Sequence, residues 1–177
     1  EALDSVCSLL ERPLGRALSD VMFAAAGSAE AALLDQTAFT QAALFAISVA
    51  QYRLWEHWGL RPELLLGHSI GELAAVHLAG ALSLKDACAL VAARGKMMQA
   101  MPTGGAMAAV QASEAEVLVQ LQGRHEQVAI AASNEPAQTV ISGDLQAVEA
   151  VARDFEQLGR RVKRLRTSHA FHSPHME

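Results

Sequence analysis

Apolar positions in residues 1–59 recur mostly at three- and four-residue steps. The clearest case is "TQAALFAISVAQYRLWEHWG", with Leu44, Ile47, Tyr52, Trp55 and Trp58 in phase and Gly59 ending the pattern. That region reads as helical. "RPELLLG" (residues 61–67) restarts as a strand, with Pro62 marking the break. Helix resumes from Gly71 to about Gly80. A further helix runs from Ser83, an N-cap with Asp86 three residues on, to about Met101.

After "MPTGG" the texture changes. "AMAAVQA" is strand-like, "SEAEVLVQLQGR" is helical with Ser113 as its cap, and "QVAIAAS" and "QTVISG" are strand-like. "DLQAVEAVARDFEQLG" is helical and closed by Gly159, and "RRVKRLR" is strand-like again. Strand, helix, strand, strand, helix, strand is the split βαβ order of a ferredoxin-like unit. The pattern therefore predicts a small subdomain over residues 104–166, inserted in a larger α/β domain. Residues 1–103 form the first part of that larger domain and residues 167–177 return to it.

Composition adds bounds. The chain has 177 residues, 51% hydrophobic and 19% charged, enough to bury a core. A net charge of −5 gives no reason to expect nucleic acid as a partner. Cys7 and Cys88 lack metal or CxxC spacing and read as small apolar fillers in a reducing compartment. No run approaches the roughly 20 apolar residues of a membrane span. Acidic Glu1 and Asp4 are unlike the start of a signal peptide. The expectation is a soluble, cytoplasmic piece with no membrane partner.

Candidate chemistry begins at Gly67-His68-Ser69-Ile70-Gly71, which fits G-x-S-x-G with a predicted strand before and a helix after. A sharp turn there needs small neighbours and raises the serine above the sheet. The following helix start offers the Ile70 amide to a developing oxyanion. A plain βα turn with a capping serine is the simpler alternative, but the strand-elbow-helix context favours Ser69 as a nucleophile. Such a serine needs a base. His57 and His125 sit in polar settings, His77 suits packing, and His68 is adjacent to Ser69, where neighbouring side chains diverge. "SHAFHSPHME" supplies His169, His172 and His175, without an HExxH helix or cysteine partner for a metal. Spacing alone does not choose among the three.

On the helix from Ser83, Ala87, Leu90, Val91, Met98 and Met101 form an apolar face, and Arg94 falls in its middle. A cation there requires a paired acid, for which Glu72 is a candidate, or a polar cavity. As a cavity residue, arginine is suited to grip a carboxylate bidentately. A serine nucleophile beside such an arginine suggests transfer of an acyl group that carries its own free acid.

With those residues in view, the chain resembles the acyltransferase domain of modular type I polyketide synthases, within the malonyl-CoA:acyl carrier protein transacylase family. The likeness rests on "TAFTQAALFAISVAQYRLWEHWGLRPELLLGHSIGELAAVHLAGALSL", "AARGKMMQAMPTGGAMAAV", "SNEPAQTVISG" and "HAFHSPHM", and spans essentially the whole chain. It implies an α/β fold: a hydrolase-like large domain with a parallel sheet and nucleophile elbow, plus an inserted ferredoxin-like subdomain. It implies Ser69 as the acylated nucleophile, His172 as the base and Arg94 as the holder of the extender carboxylate. Asn134 falls at a position near the family's active site. His68, Ile70, His169 and Phe171 fall around the substrate. "HAFH" (169–172) and Ile70 are of the malonyl rather than the methylmalonyl type, Phe171 crowding the substrate α-carbon. No bound cofactor or metal is implied. The implied partners are malonyl-CoA, the phosphopantetheine arm of an acyl carrier protein and an adjacent ketosynthase domain.

The family opens with a GQG-type strand whose glutamine serves the oxyanion hole. No such stretch precedes Glu1, and the chain stops at Glu177, so the resemblance is to an internal part of the domain. "RRVKRLR" reads as a charged edge strand or as a dock for an acidic carrier protein or coenzyme A phosphates. The competing functional readings are the same transfer from methylmalonyl-CoA, a serine hydrolase with Asp144 or Asp154 orienting the base, and a non-enzymatic scaffold.

Overall fold

The computed structural model describes residues 1–176. It divides into two compact units, Glu1–Gln99 and a second beginning at Ala100.

The first unit is helical. It contains α1 (Ala2–Leu14), α2 (Leu18–Met22), α3 (Ala29–Ala32), α4 (Thr37–His57), α5 (Ile70–Leu78) and α6 (Leu84–Ala100, reaching one residue past the unit). Its core joins Val6 and Leu10 of α1, Phe39, Ala42, Phe45, Ala46 and Val49 of α4, Ala74 of α5 and Val91 of α6. The α4 and α6 backbones approach closely: a Cβ on Gly95 would lie 3.0 Å from the Ala38 Cα. Cys7 and Cys88 are buried there as free thiols, and burial pushes the Cys88 thiol up to about 11, so both fill space rather than react.

Packing decides which face of α4 is covered. Leu44, Ile47, Trp55 and Trp58 are exposed, whereas Ala42, Phe45, Ala46 and Val49 are buried. Both faces of this helix are apolar, so periodicity found a helix without identifying its inner side. The expected strand at 61–67 is not formed among the described residues: the segment has no regular secondary structure, bends at Glu63 and has no ladder partner. Leu64 is 90% and Leu66 100% exposed. Every other element of this unit is helical, so nothing extended lies within it to receive their backbone groups. Among the described residues the paired sheet is the antiparallel one of the second unit.

That unit follows the expected order: β1 (Gly105–Val110), α7 (Glu114–Gln120), β2 (Val128–Glu135), β3 (Gln138–Asp144), α8 (Leu145–Gln157) and β4 (Val162–Arg164). The strands lie β2-β3-β1-β4, all antiparallel, which is the ferredoxin-like arrangement. Ser113 and Glu116 form a capping box at the start of α7. Val148, Val151, Ala152 and Phe155 of α8 are buried at helical spacing with Ala108, Val110, Val128 and Ile141 of the sheet. Helices and sheet together give the α/β class.

Two of the five basic residues of the run pair with acids of the same unit. Arg160 pairs with Glu116 at 2.5 Å, and Arg164 reaches Glu149 at 2.9 Å and Glu156 at 2.8 Å. Arg164 also holds the Glu149 carboxyl below its ordinary range. Among the described residues no single helix is long and apolar enough to cross a membrane.

Candidate active site

Ser69 lies between the 61–67 segment and α5 with φ 53° and ψ −115°. A non-glycine residue at positive φ costs about 1–3 kcal/mol and persists only where its surroundings over-determine it. Among the described residues only two non-glycines have positive φ, Ser69 and His172 (φ 55°). Gly67 makes the first of these turns possible. A Cβ there would lie 2.2 Å from backbone atoms of Gly71 and Glu72. Gly71 is different, since a Cβ on it would meet nothing within 4 Å. The amides of Gly71 and Glu72 donate to the His68 and Ser69 carbonyls at 3.0 Å. The Ile70 amide precedes them as the first orphan donor of the helix.

Arg94 reaches this serine from α6, its Nη2 donating to Ser69 Oγ at 3.2 Å. Its Nη1 donates to the side-chain oxygen of Gln41 on α4, and Gln41 Nε2 lies 3.2 Å from Met98 Sδ. Gln41 is only 6% exposed. The anticipated acid Glu72 does not pair with Arg94, and among the described residues no carboxylate lies within 4.0 Å of it. Partial burial holds the guanidinium below its ordinary pKa, through lost hydration. The site thus contains a cation whose near neighbours are a neutral amide and the serine hydroxyl. Gln41 escaped the sequence reading because a neutral glutamine does not stand out as a misplaced charge does. The signal was there: a polar side chain within the apolar run "FTQAALFA".

The three clustered histidines differ sharply. His169 is 1% exposed, with Nδ1 2.8 Å from Ser168 Oγ and Nε2 3.1 Å from the Met101 carbonyl oxygen. His175 places Nε2 2.6 Å from Asp144 Oδ1. His172 has an exposed side chain on a backbone of positive φ. Half-buried Phe171 sits with its ring 5.8 Å from that of His169. Of the remaining positions, His68 is exposed, Ile70 is half-buried on α5 and Asn134 is exposed at the end of β2. His77 packs as expected, Nδ1 2.9 Å from the Leu82 carbonyl and its ring beside Phe45. Asp154, one of the acids a hydrolase triad requires, pairs with Arg124 at 3.0 Å.

The family model described as "Acyl transferase domain" matches residues 7–177. The chain belongs to the acyl transferase domain family. It is 56% identical over 99% of its length to the spectinabilin polyketide synthase system protein NorB of Streptomyces orinoci, of which it covers 8%. It is 52% identical over its full length to mycoketide-CoA synthase of Mycobacterium tuberculosis, covering 4% of that protein. Among solved structures, the acyltransferase domain from the second module of the salinomycin polyketide synthase superposes with TM-score 0.90 at 50% identity, over 99% of this chain and 40% of that one. A malonyl CoA-acyl carrier protein transacylase from Clostridium perfringens superposes with TM-score 0.85 at 29% identity, over 99% of this chain and 56% of that one. The acyl transferase chain thus spans less than half of the solved polyketide synthase domain it matches.

Proposed function

We propose that this acyl transferase moves a malonyl group from malonyl-CoA, through an ester on Ser69, to the phosphopantetheine thiol of an acyl carrier protein. The observation that carries the reading is Arg94: a half-buried cation without a carboxylate partner among the described residues, its guanidinium 3.2 Å from Ser69 Oγ. A substrate carboxylate supplies the missing charge and takes over the guanidinium fork. That would hold the thioester carbonyl beside the serine.

His172 takes the Ser69 proton as Oγ attacks the thioester carbon. The oxyanion faces the Ile70 amide. The C–S bond then breaks, and the coenzyme A thiolate leaves with the proton from His172. In the second half-reaction the carrier thiol gives its proton to His172 and attacks the ester carbon; the C–Oγ bond breaks and Ser69 Oγ takes that proton back from His172, regenerating both residues. Support for His172 comes from the family resemblance, its exposure and its positive φ. Phe171 is braced against His169, which favours malonyl. An added methyl on the α-carbon meets a filled site, at a cost of about 1–3 kcal/mol or roughly 5- to 150-fold in rate. The carrier protein, and a neighbouring ketosynthase that consumes the loaded carrier, belong to this same proposal.

The test is intact-mass spectrometry of the domain at the length of its solved relatives, after incubation with malonyl-, methylmalonyl- and acetyl-CoA. A malonyl adduct is expected, absent in Ser69→Ala. In Arg94→Ala, malonyl loading falls about 10²-fold or more while acetyl loading persists. Equal loss of both would overturn the carboxylate fork. A preferred methylmalonyl adduct would overturn the role of Phe171, and hydrolysis without transfer would favour a hydrolase.

A further inference from the structure

The backbone of residues 168–176 is tied at each side of His172. On one side, Ala170 is fully buried against β1, where a Cβ on Gly105 would come 2.5 Å from its methyl group. His169 is anchored to the Met101 carbonyl at 3.1 Å. On the other side, Ser173 Oγ donates to the Ala170 carbonyl at 2.6 Å and accepts from the His175 amide at 3.2 Å. This closes a small ring of contacts around His172. The last tie is the His175 side chain, 2.6 Å from Asp144 Oδ1.

Asp144 occupies the N-cap position of α8, where an aspartate ordinarily accepts from its own helix, yet its side chain makes no cap hydrogen bond. It turns instead to His175. A carboxylate only accepts, so His175 Nε2 is the donor. Asp144 is also the register partner of Gly105, the residue against which Ala170 packs. The two ends of the bracket therefore converge on one end of the central β1–β3 strand pair.

We propose that Asp144 and His175 form a positioning clasp that, with Ser173, holds His172 at its positive φ in the orientation that accepts the Ser69 proton. This rests on the reading of His172 as the base. Neither clasp residue touches the reacting atoms. Their effect is on how often the imidazole stands in its productive pose, so it falls on kcat rather than on thioester binding. Displacing a catalytic group by about 1 Å costs about 10²-fold, which bounds the effect.

The experiment measures malonyl transfer from malonyl-CoA to a carrier protein by the domain at the length of its solved relatives. The variants are Asp144→Ala, Asp144→Asn, Ser173→Ala and His172→Ala, with folding followed by circular dichroism. Asp144→Ala and Ser173→Ala are expected to lower kcat about 10- to 100-fold with KM within about twofold. Asp144→Asn keeps an acceptor for His175 and is expected to recover kcat to within about threefold of the parent. Two results would overturn the clasp: folded Asp144→Ala with parental kcat, or Asp144→Asn as impaired as Asp144→Ala. If Asp144→Ala fails to fold, Ser173→Ala decides between the same outcomes. Loss of transfer in His172→Ala leaves the base assignment standing whatever the clasp variants do. Parental activity in His172→Ala would remove the base and the clasp together.

Discussion

Ser69 and His172 share an unusual backbone, φ 53° and 55°, but each is held in its own unit by different means. At the serine the constraint is steric and lies in the main chain: Gly67 sits where a Cβ would lie 2.2 Å from the backbone of Gly71 and Glu72. At the histidine it is built from side chains, namely Ser173, His175, Asp144 and buried His169. A steric constraint on the backbone tolerates almost no substitution, because main-chain atoms of a turn and a helix start cannot step aside. A hydrogen-bonded bracket loses one tie at a time. The geometry at Ser69 is therefore expected to fail abruptly under mutation and the geometry at His172 by degrees.

Gly67→Ala tests the abrupt end. Overpacking by one methyl ordinarily costs about 1–3 kcal/mol, and a backbone neighbour puts this case at or above the upper figure. If the chain still folds, the elbow must open. Ser69 acylation, read by intact mass against time, is expected to fall about 10²-fold or more. Parental acylation by this variant would remove the distinction between the two sites.

Gly105→Ala probes the graded end, because the added Cβ meets mainly the Ala170 methyl at 2.5 Å and the Gly143 carbonyl oxygen at 3.0 Å. A loop carrying a methyl group can shift where a helix start cannot. The expected cost is about 1–2 kcal/mol in chemical unfolding. The loss of acylation should be nearer 10-fold than 10²-fold, since the displaced group is His172 rather than Ser69. A collapse as complete as that of Gly67→Ala would show the bracket to be as rigid as the elbow.

The same contrast explains what was legible in the sequence. Steric constraints leave short local signatures: the G-x-S-x-G elbow, the Ser113 capping box and the strand-helix alternation of the second unit were all readable from neighbours in the chain. Constraints made between distant residues were not. Asp144 reads as the start of a helix, and nothing local shows it turning to His175, 31 residues on. Gln41 and Arg94 are 53 residues apart, and a glutamine carries no charge to mark it out. Arg94 was visible because a cation on an apolar face is costly, but its proposed acid Glu72 was not its partner. The inner side of α4 was not legible for a related reason: with Leu44 and Ile47 on one face and Phe45 and Val49 on the other, only the tertiary packing decides which is covered.

The smallest effect belongs to the second glycine of the elbow. The motif treats Gly67 and Gly71 alike, but a Cβ on Gly71 meets nothing within 4 Å and its φ is not positive, so neither space nor conformation demands glycine there. It lies in the first turn of α5, where alanine loses less backbone entropy than glycine on folding. Gly71→Ala is expected to stabilise the domain by about 0.5 kcal/mol, raising the thermal midpoint by about 1–2 °C in a scanning measurement. A lowered midpoint would mean that the helix start is crowded in a way the Gly71 surroundings do not indicate. A raised midpoint with slower malonyl loading would separate two reasons for a glycine at one turn. Gly67 would then serve the fold of the elbow, and Gly71 the room its substrate needs.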